Sequence, residues 1–234
     1  MRHVYGSLLA AFAIVALPTI TTAQGDEASR KVAGGGISAA GWMGKIDAKE
    51  VTAGATLNDG KLAMDGKVLK VTTGPAVTYW NPANKVTGDF TVKATFHEAK
   101  YMELNSHPHP YGIVVGGNDL GTDNQSFLYC AAYGNGTFIV RGMGPAPFQM
   151  NGGRGGANEA VHKAAGKGSP VTQDIAMTVK GDKVSCTING AEVWSATKTE
   201  LVAAGKLKST DGVYGIRFAH NTEATVTGLT SSKP

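Results

Sequence analysis

His107-Pro108-His109-Pro110-Tyr111 is the segment whose residue types most directly suggest chemistry, with His97 and Glu103 just upstream. Two histidines at i and i+2 on an extended, proline-stiffened backbone can project to the same side, where they could serve a metal ion or hold a general base. A His-x-His pair alone lacks the further ligands that a metal site needs. The plainer reading, a rigid polar loop feeding a strand that begins at Tyr111, is therefore preferred. No metal ligand is assigned, and a divalent metal is left open as a cofactor.

Tyr79-Trp80-Asn81-Pro82 places two aromatic rings ahead of amide groups. Flat rings beside amides suit sugar faces, because axial C–H bonds stack on the ring while hydroxyls take hydrogen bonds; one of the two rings is expected in the core. Tyr133, Arg141, Gln149, Asn151 and Arg154 would add polar contacts if the Gly-rich segment around them folds over the strand ends. The candidate ligand-binding set is thus Trp80, His97, His107, His109, Tyr133 and Arg141, with no catalytic residue assigned.

Three other patterns carry less. Asn118-Asp119-Leu120-Gly121-Thr122-Asp123-Asn124 offers five oxygen-bearing side chains to a calcium ion but lacks EF-hand spacing, and Asx and Gly residues are ordinary turn formers. A retaining glycosidase needs two carboxylates roughly 5 Å apart, whereas Glu98, Glu103, Asp119 and Asp123 are scattered along the chain. Gly166-Lys167-Gly168-Ser169 is no phosphate loop, since Val161 stands where the first glycine belongs.

The elements that would position these residues read as strands. Ile175, Met177 and Val179, then Val184, Cys186 and Ile188, recur at every second position, the period of a strand with one buried face. Gly181-Asp182 and Asn189-Gly190 supply tight hairpin turns. Phe90, Val92, Ala94 and Phe96 alternate with Thr91, Lys93, Thr95 and His97, so His97 points away from the core. Tyr111 to Val115 and Phe127 to Ala132 are apolar on both alternations, as central strands covered on both sides would be. Between Gly142 and Pro170 runs a long Gly-rich connection, with a short helix expected over Glu159 to Ala165, capped by Asn158 and ended by Gly166. Cys130 and Cys186 are an even pair, open equally to a disulfide or to two buried thiols. The pattern predicts an all-β antiparallel sandwich.

At the N-terminus, Arg2, the apolar run Leu8 to Leu17, Pro18 and Thr21-Thr22-Ala23 together read as a secretory signal peptide cleaved after Ala23, in a run too short to span a bilayer. The expected organisation is a signal peptide over 1–23, a flexible segment over 24–40 and a single sandwich domain over 41–234, in the periplasm or outside the cell. The formal charge of +4 is spread along the chain and is no nucleic-acid footprint.

The order of parts resembles the concanavalin-A-like (laminin-G-like) jelly rolls, and within them the 3-keto-disaccharide hydrolase-like group. The residues that carry the likeness are Asp59-Gly60-Lys61-Leu62 with Thr87-Gly88-Asp89-Phe90, the hairpin from Ile175 to Val193, and the closing strand Gly212-Val213-Tyr214-Gly215-Ile216-Arg217 with His220. Thr172-Gln173 stand where that group has Trp-Asn. The resemblance implies a jelly-roll sandwich. For an enzyme of that group it implies elimination beside a 3-keto group, with His97 or His109 as base and a cation or hydrogen-bond donors at the ketone oxygen. Since the shared motifs are scaffold motifs, the expectation is a secreted protein that binds carbohydrate or a similar polar ligand. The glycoside-cleaving enzyme is the alternative, and a metal-binding exported protein built on the two His-Pro units is a third reading.

Overall fold

A computed structural model describes Met1 and residues 27–153 and 155–234. The expected signal peptide with its cleavage point, and Arg154, lie outside the described residues. In chain order the strands are β1 (Gly36–Ile37), β2 (Met43–Ile46), β3 (Lys61–Asp65), β4 (Val68–Thr72), β5 (Val77–Val86) and β6 (Phe90–Glu98). They continue through β7 (Tyr111–Asn118), β8 (Ser126–Ala132), β9 (Thr137–Met143), β10 (Pro147–Gln149) and β11 (Gly156–Ala157). The chain closes with β12 (Val171–Lys180), β13 (Lys183–Ile188), β14 (Ala191–Thr197), β15 (Gly212–Phe218) and β16 (Glu223–Ser232). Two short helices, α1 (Ala48–Thr52) and α2 (Lys198–Leu201), fill gaps between strands.

Two sheets face each other. The first has the order β1-β3-β4-β16-β6-β12-β13-β14 and the second β10-β9-β8-β7-β15-β5-β2, with β11 also on β9. The neighbours are antiparallel except β1 and β3. This is the expected all-β antiparallel sandwich. Alternation decides its interior: Val92, Phe96, Ile175 and Met177 from the first sheet meet Tyr111, Ile113, Leu128 and Phe218 from the second in one continuous core. Phe96 stacks on Tyr111 with ring centroids 5.5 Å apart. The Asn189-Gly190 hairpin forms as expected, with φ of 49° and 86° at its two turn residues, the backbone that a two-residue turn demands.

Cys130 on β8 and Cys186 on β13 form a disulfide across the core, with Cα atoms 6.3 Å apart. Their alternation aims both at the space between the sheets, so the bond joins the two layers rather than two strands of one.

Two expectations need correction. The segment 24–40 is not a loose lead over its described part: Val32 N donates to Asp59 O, Arg30 N to the side chain of Asn221, and β1 pairs with β3. The sandwich therefore begins before residue 41. Glu159 to Ala165 is not helical. Lys163 bridges Asn135, Val161 is buried, and the amide of Gln173 holds both the N–H and the C=O of His162. Tertiary partners thus take backbone groups that a helix would have used internally. Asn158 caps only a turn, accepting from Ala160 N at 2.9 Å.

Candidate functional site

The outward face of the second sheet is unusually apolar and aromatic. On β8, Leu128, Cys130 and Ala132 point into the sandwich, so Phe127, Tyr129 and Ala131 must point out. There they pack with Val114 and Ile139 into a second buried cluster that Tyr133 and Met143 flank. Strand register then lines up chemistry: Tyr129 lies opposite Arg141 on β9, and Arg141 opposite Gln149 on β10. In the adjoining row Arg217 on β15 lies opposite Gly112, and Gly112 opposite Ala131. A Cβ at Gly112 would fall 1.9 Å from the carbonyl oxygen of Cys130, so that position takes glycine.

Over these rows opens a cleft of about 380 Å³ whose lining includes Tyr129, Tyr133, Arg141, Gln149, Arg217, His107, His109 and His220. The Gly-rich connection does fold over the strand ends. Asn151 fastens it by accepting from Val140 N and donating to Phe138 O, and Arg141 Nη2 donates to Gly153 O at 2.7 Å. Asn151 is therefore a fastener of the loop.

Arg217 forms the floor. It is 7% exposed and donates through both terminal nitrogens to Asp47, at 2.7 and 2.5 Å, and to Thr78 Oγ1 at 3.2 Å. Its guanidinium lies 5.6 Å from the centroid of Tyr129, a cation–π contact. Asp47 stands at the N-cap of α1 yet makes no capping bond with its side chain; its carboxylate is committed to Arg217. Burial raises the Tyr133 hydroxyl above its ordinary value, against the opposing pull of Arg141, so the phenol stays a neutral donor.

At one end of the cleft the histidines meet, and register explains why. Phe218 lies opposite Tyr111 where β15 pairs with β7, and the pairing runs on as Ala219 N donates to Pro110 O. His109, before β7, is thereby set beside His220, after β15. One ring nitrogen from each of His107, His109 and His220 lies within 4.8 Å of the other two. His109 Nε2 and His107 Nε2 are 2.8 Å apart, and His109 Nδ1 is 2.5 Å from the carbonyl oxygen of His220. Since a carbonyl only accepts, Nδ1 carries the proton and Nε2 the lone pair. Glu50, buried on α1, places Oε1 3.7 Å from His220 Nδ1.

Of the six residues expected to bind ligand, His107, His109, Tyr133 and Arg141 come together in this cleft. Trp80 and His97 do not. Trp80 is 3% exposed, and both rings of the Tyr79-Trp80 pair are buried. Trp80 does face outward in the row of Tyr129, but the turn after β7 covers it: a Cβ at Gly121 would touch its ring at 3.5 Å. That turn is held by Lys45 on Asp123 and Lys208 on Asp119, so its carboxylates are occupied by lysines. His97 is exposed, as its alternation predicts, but on the outer face of the other sheet, bonded to Thr172 Oγ1 at 2.8 Å. Tyr129 and Arg217 escaped the sequence reading. Arg217 left a signal, a lone charge inside an apolar strand, whereas Tyr129 looked like any core residue of an apolar run.

No family model matches the chain, and no curated protein is similar to it in sequence. Its fold does have solved counterparts. The exoplasmic/lumenal domain of VIP36 in its Ca2+/Man2-bound form superposes with a TM-score of 0.53 at 9% identity, over 83% of this chain and 81% of that one. The Ca2+/Man-bound form gives 0.52 at 10% identity over 83% of each. The carbohydrate binding module CBM66 from Bacillus subtilis gives 0.49 at 10% identity, over 84% of this chain and 98% of that one. With the two VIP36 superpositions above a TM-score of 0.5, the fold is a jelly-roll β-sandwich. Among the described residues no helix is long and apolar enough to cross a membrane.

Proposed function

We propose that this is an exported carbohydrate-binding protein whose ligand lies in the cleft on the outward face of the second sheet. The observation that carries the reading is the convergence of Tyr129 and Tyr133 with Arg141, Gln149 and Arg217 on one face. Aromatic rings offer a surface for the C–H face of a sugar, and guanidinium and amide groups bond its hydroxyls. The site is also concave, as binding clefts are. Mannose-containing ligands named for the VIP36 structures make mannosides a natural first panel. The disulfide accords with an oxidising compartment, and so supports export.

The test is calorimetry of the purified chain against a saccharide panel, with and without calcium, coupled to product chromatography. Tyr133→Ala and Arg141→Ala should each weaken binding about tenfold, near 1.4 kcal/mol, while His97→Ala leaves it unchanged. Absence of heat with every saccharide would overturn the proposal. The hydrolase reading is kept to the same experiment, through new products from 3-keto-glycosides. It is the weaker reading, because His97 lies on the far sheet and burial, followed by the effect of His220, pulls His109 down to about 4. An imidazole that acidic is a poor proton acceptor.

A further inference from the structure

We propose that His107, His109 and His220 bind a divalent transition-metal ion of the zinc class, with one coordination position left open to the cleft. The three rings stand nearly perpendicular to one another, with interplanar angles of 82°, 82° and 89° and centroids 4.1 to 6.3 Å apart. Stacked rings would hide their nitrogens from a shared point; rings set edge to face can present them to it. Around a tetrahedral zinc, with Zn–N near 2.0–2.1 Å, ligand nitrogens lie roughly 3.3 Å apart. The His107 and His109 Nε2 atoms at 2.8 Å and the whole set within 4.8 Å reach that geometry by small side-chain rotations.

The surroundings are those of a metal site. The carbonyl of His220 fixes the proton of His109 on Nδ1, which keeps the Nε2 lone pair directed at the cluster, as outer partners of metal-ligating histidines do. Glu50 lies on the Nδ1 side of His220 and is itself held by Ser29 Oγ and Ala76 N, giving a carboxylate–histidine pair. Pro108 and Pro110 stiffen the segment that carries two of the ligands, and buried Asn105 and Asn221 tie it to the turn that carries the third. An all-imidazole set suits zinc or copper rather than calcium, which takes oxygen ligands. Spacing along the chain joins only His107 and His109; His220, more than a hundred residues on, supplies the third ligand.

The full chain, purified without a histidine tag and stripped with a chelator, is titrated with Zn2+ against a competing chromophoric chelator. One ion per chain is expected, with association at least 100-fold weaker in His107→Ala and unchanged in His97→Ala. His107 is partly exposed and is replaced with little risk to folding. X-ray absorption of the zinc-loaded native chain gives a second reading, three imidazoles near 2.0 Å, that needs no variant. Failure to take up stoichiometric zinc, equal uptake by His107→Ala, or a spectrum without three imidazoles would each overturn the inference. It stands apart from sugar binding: zinc uptake without saccharide heat would keep this site and remove the other, and the reverse result would do the opposite.

Discussion

Removing the Cys130–Cys186 bond should cost this fold about as much stability as a long-range cross-link can supply. The bond spans a sequence separation of 56, and the span includes the whole Gly-rich connection, which holds little regular structure of its own. Closing a loop of that size removes roughly 14 cal/mol/K from the denatured chain, about 4 kcal/mol at 25 °C. Both sulfurs are fully buried between the sheets, so reduction by a mild thiol should fail until the protein unfolds. The assay is urea unfolding of the oxidised chain and of chain reduced in denaturant and refolded with reductant. Fluorescence and far-ultraviolet circular dichroism should be followed together to verify a single transition. With a slope near 2–3 kcal/mol/M, the midpoint should fall by roughly 1.5 M, and the slope should rise as the denatured chain expands. The Cys130→Ala, Cys186→Ala double variant should fall at least as far, since it also leaves space in the core. A midpoint shift below roughly 0.5 M in the reduced chain would refute the reasoning, because the cross-link would then constrain little that the denatured chain was free to explore.

Stability should also depend on Glu98, whose carboxyl burial raises to about 7 from 4.5. A raised folded value favours the protonated form, so its stabilisation is complete below about pH 4.5 and is lost as pH rises through 7, by about 3 kcal/mol in all. Glu98→Gln should match the native chain in thermal unfolding at pH 4 to 5 and exceed it at pH 8.5; parallel curves across that range would show that Glu98 is not the titrating group. Asp47→Ala strands the Arg217 guanidinium on the cleft floor with only Thr78 Oγ1 and the face of Tyr129 for company. It should cost about 3–5 kcal/mol in urea unfolding, with Arg217→Met in the same background recovering part of the loss. A loss under 1 kcal/mol would mean that water reaches the pair freely.

Much of the architecture is legible in the residues because it is local. Alternation along Ile175 to Val179 and Val184 to Ile188 fixes which side chains enter the core, and a two-residue Asn-Gly turn dictates its own backbone, whatever the rest of the chain does. The same alternation placed His97 on an outer face. Local reasoning failed where a distant partner outbid it. Gln173 and Asn135 hold 158–163 in a turn and a single bridge in place of a helix, and Asn221 and Asp59 dock residues that looked like a loose lead.

The site needed the sheet. Alternation shows that a side chain leaves the core but not what covers it, and so a turn from the end of β7 hides Trp80 while Tyr129, in the same row, stays beside the cleft. Histidine types and the His107-x-His109 spacing could be read directly, yet the pairing of β7 with β15 alone decides that His220 joins them and His97 does not. That pairing joins segments about a hundred residues apart, chosen by burial and hydrogen bonding across the whole sandwich. Spacing in the chain determined what each residue could do, and register between distant strands determined which residues do it together.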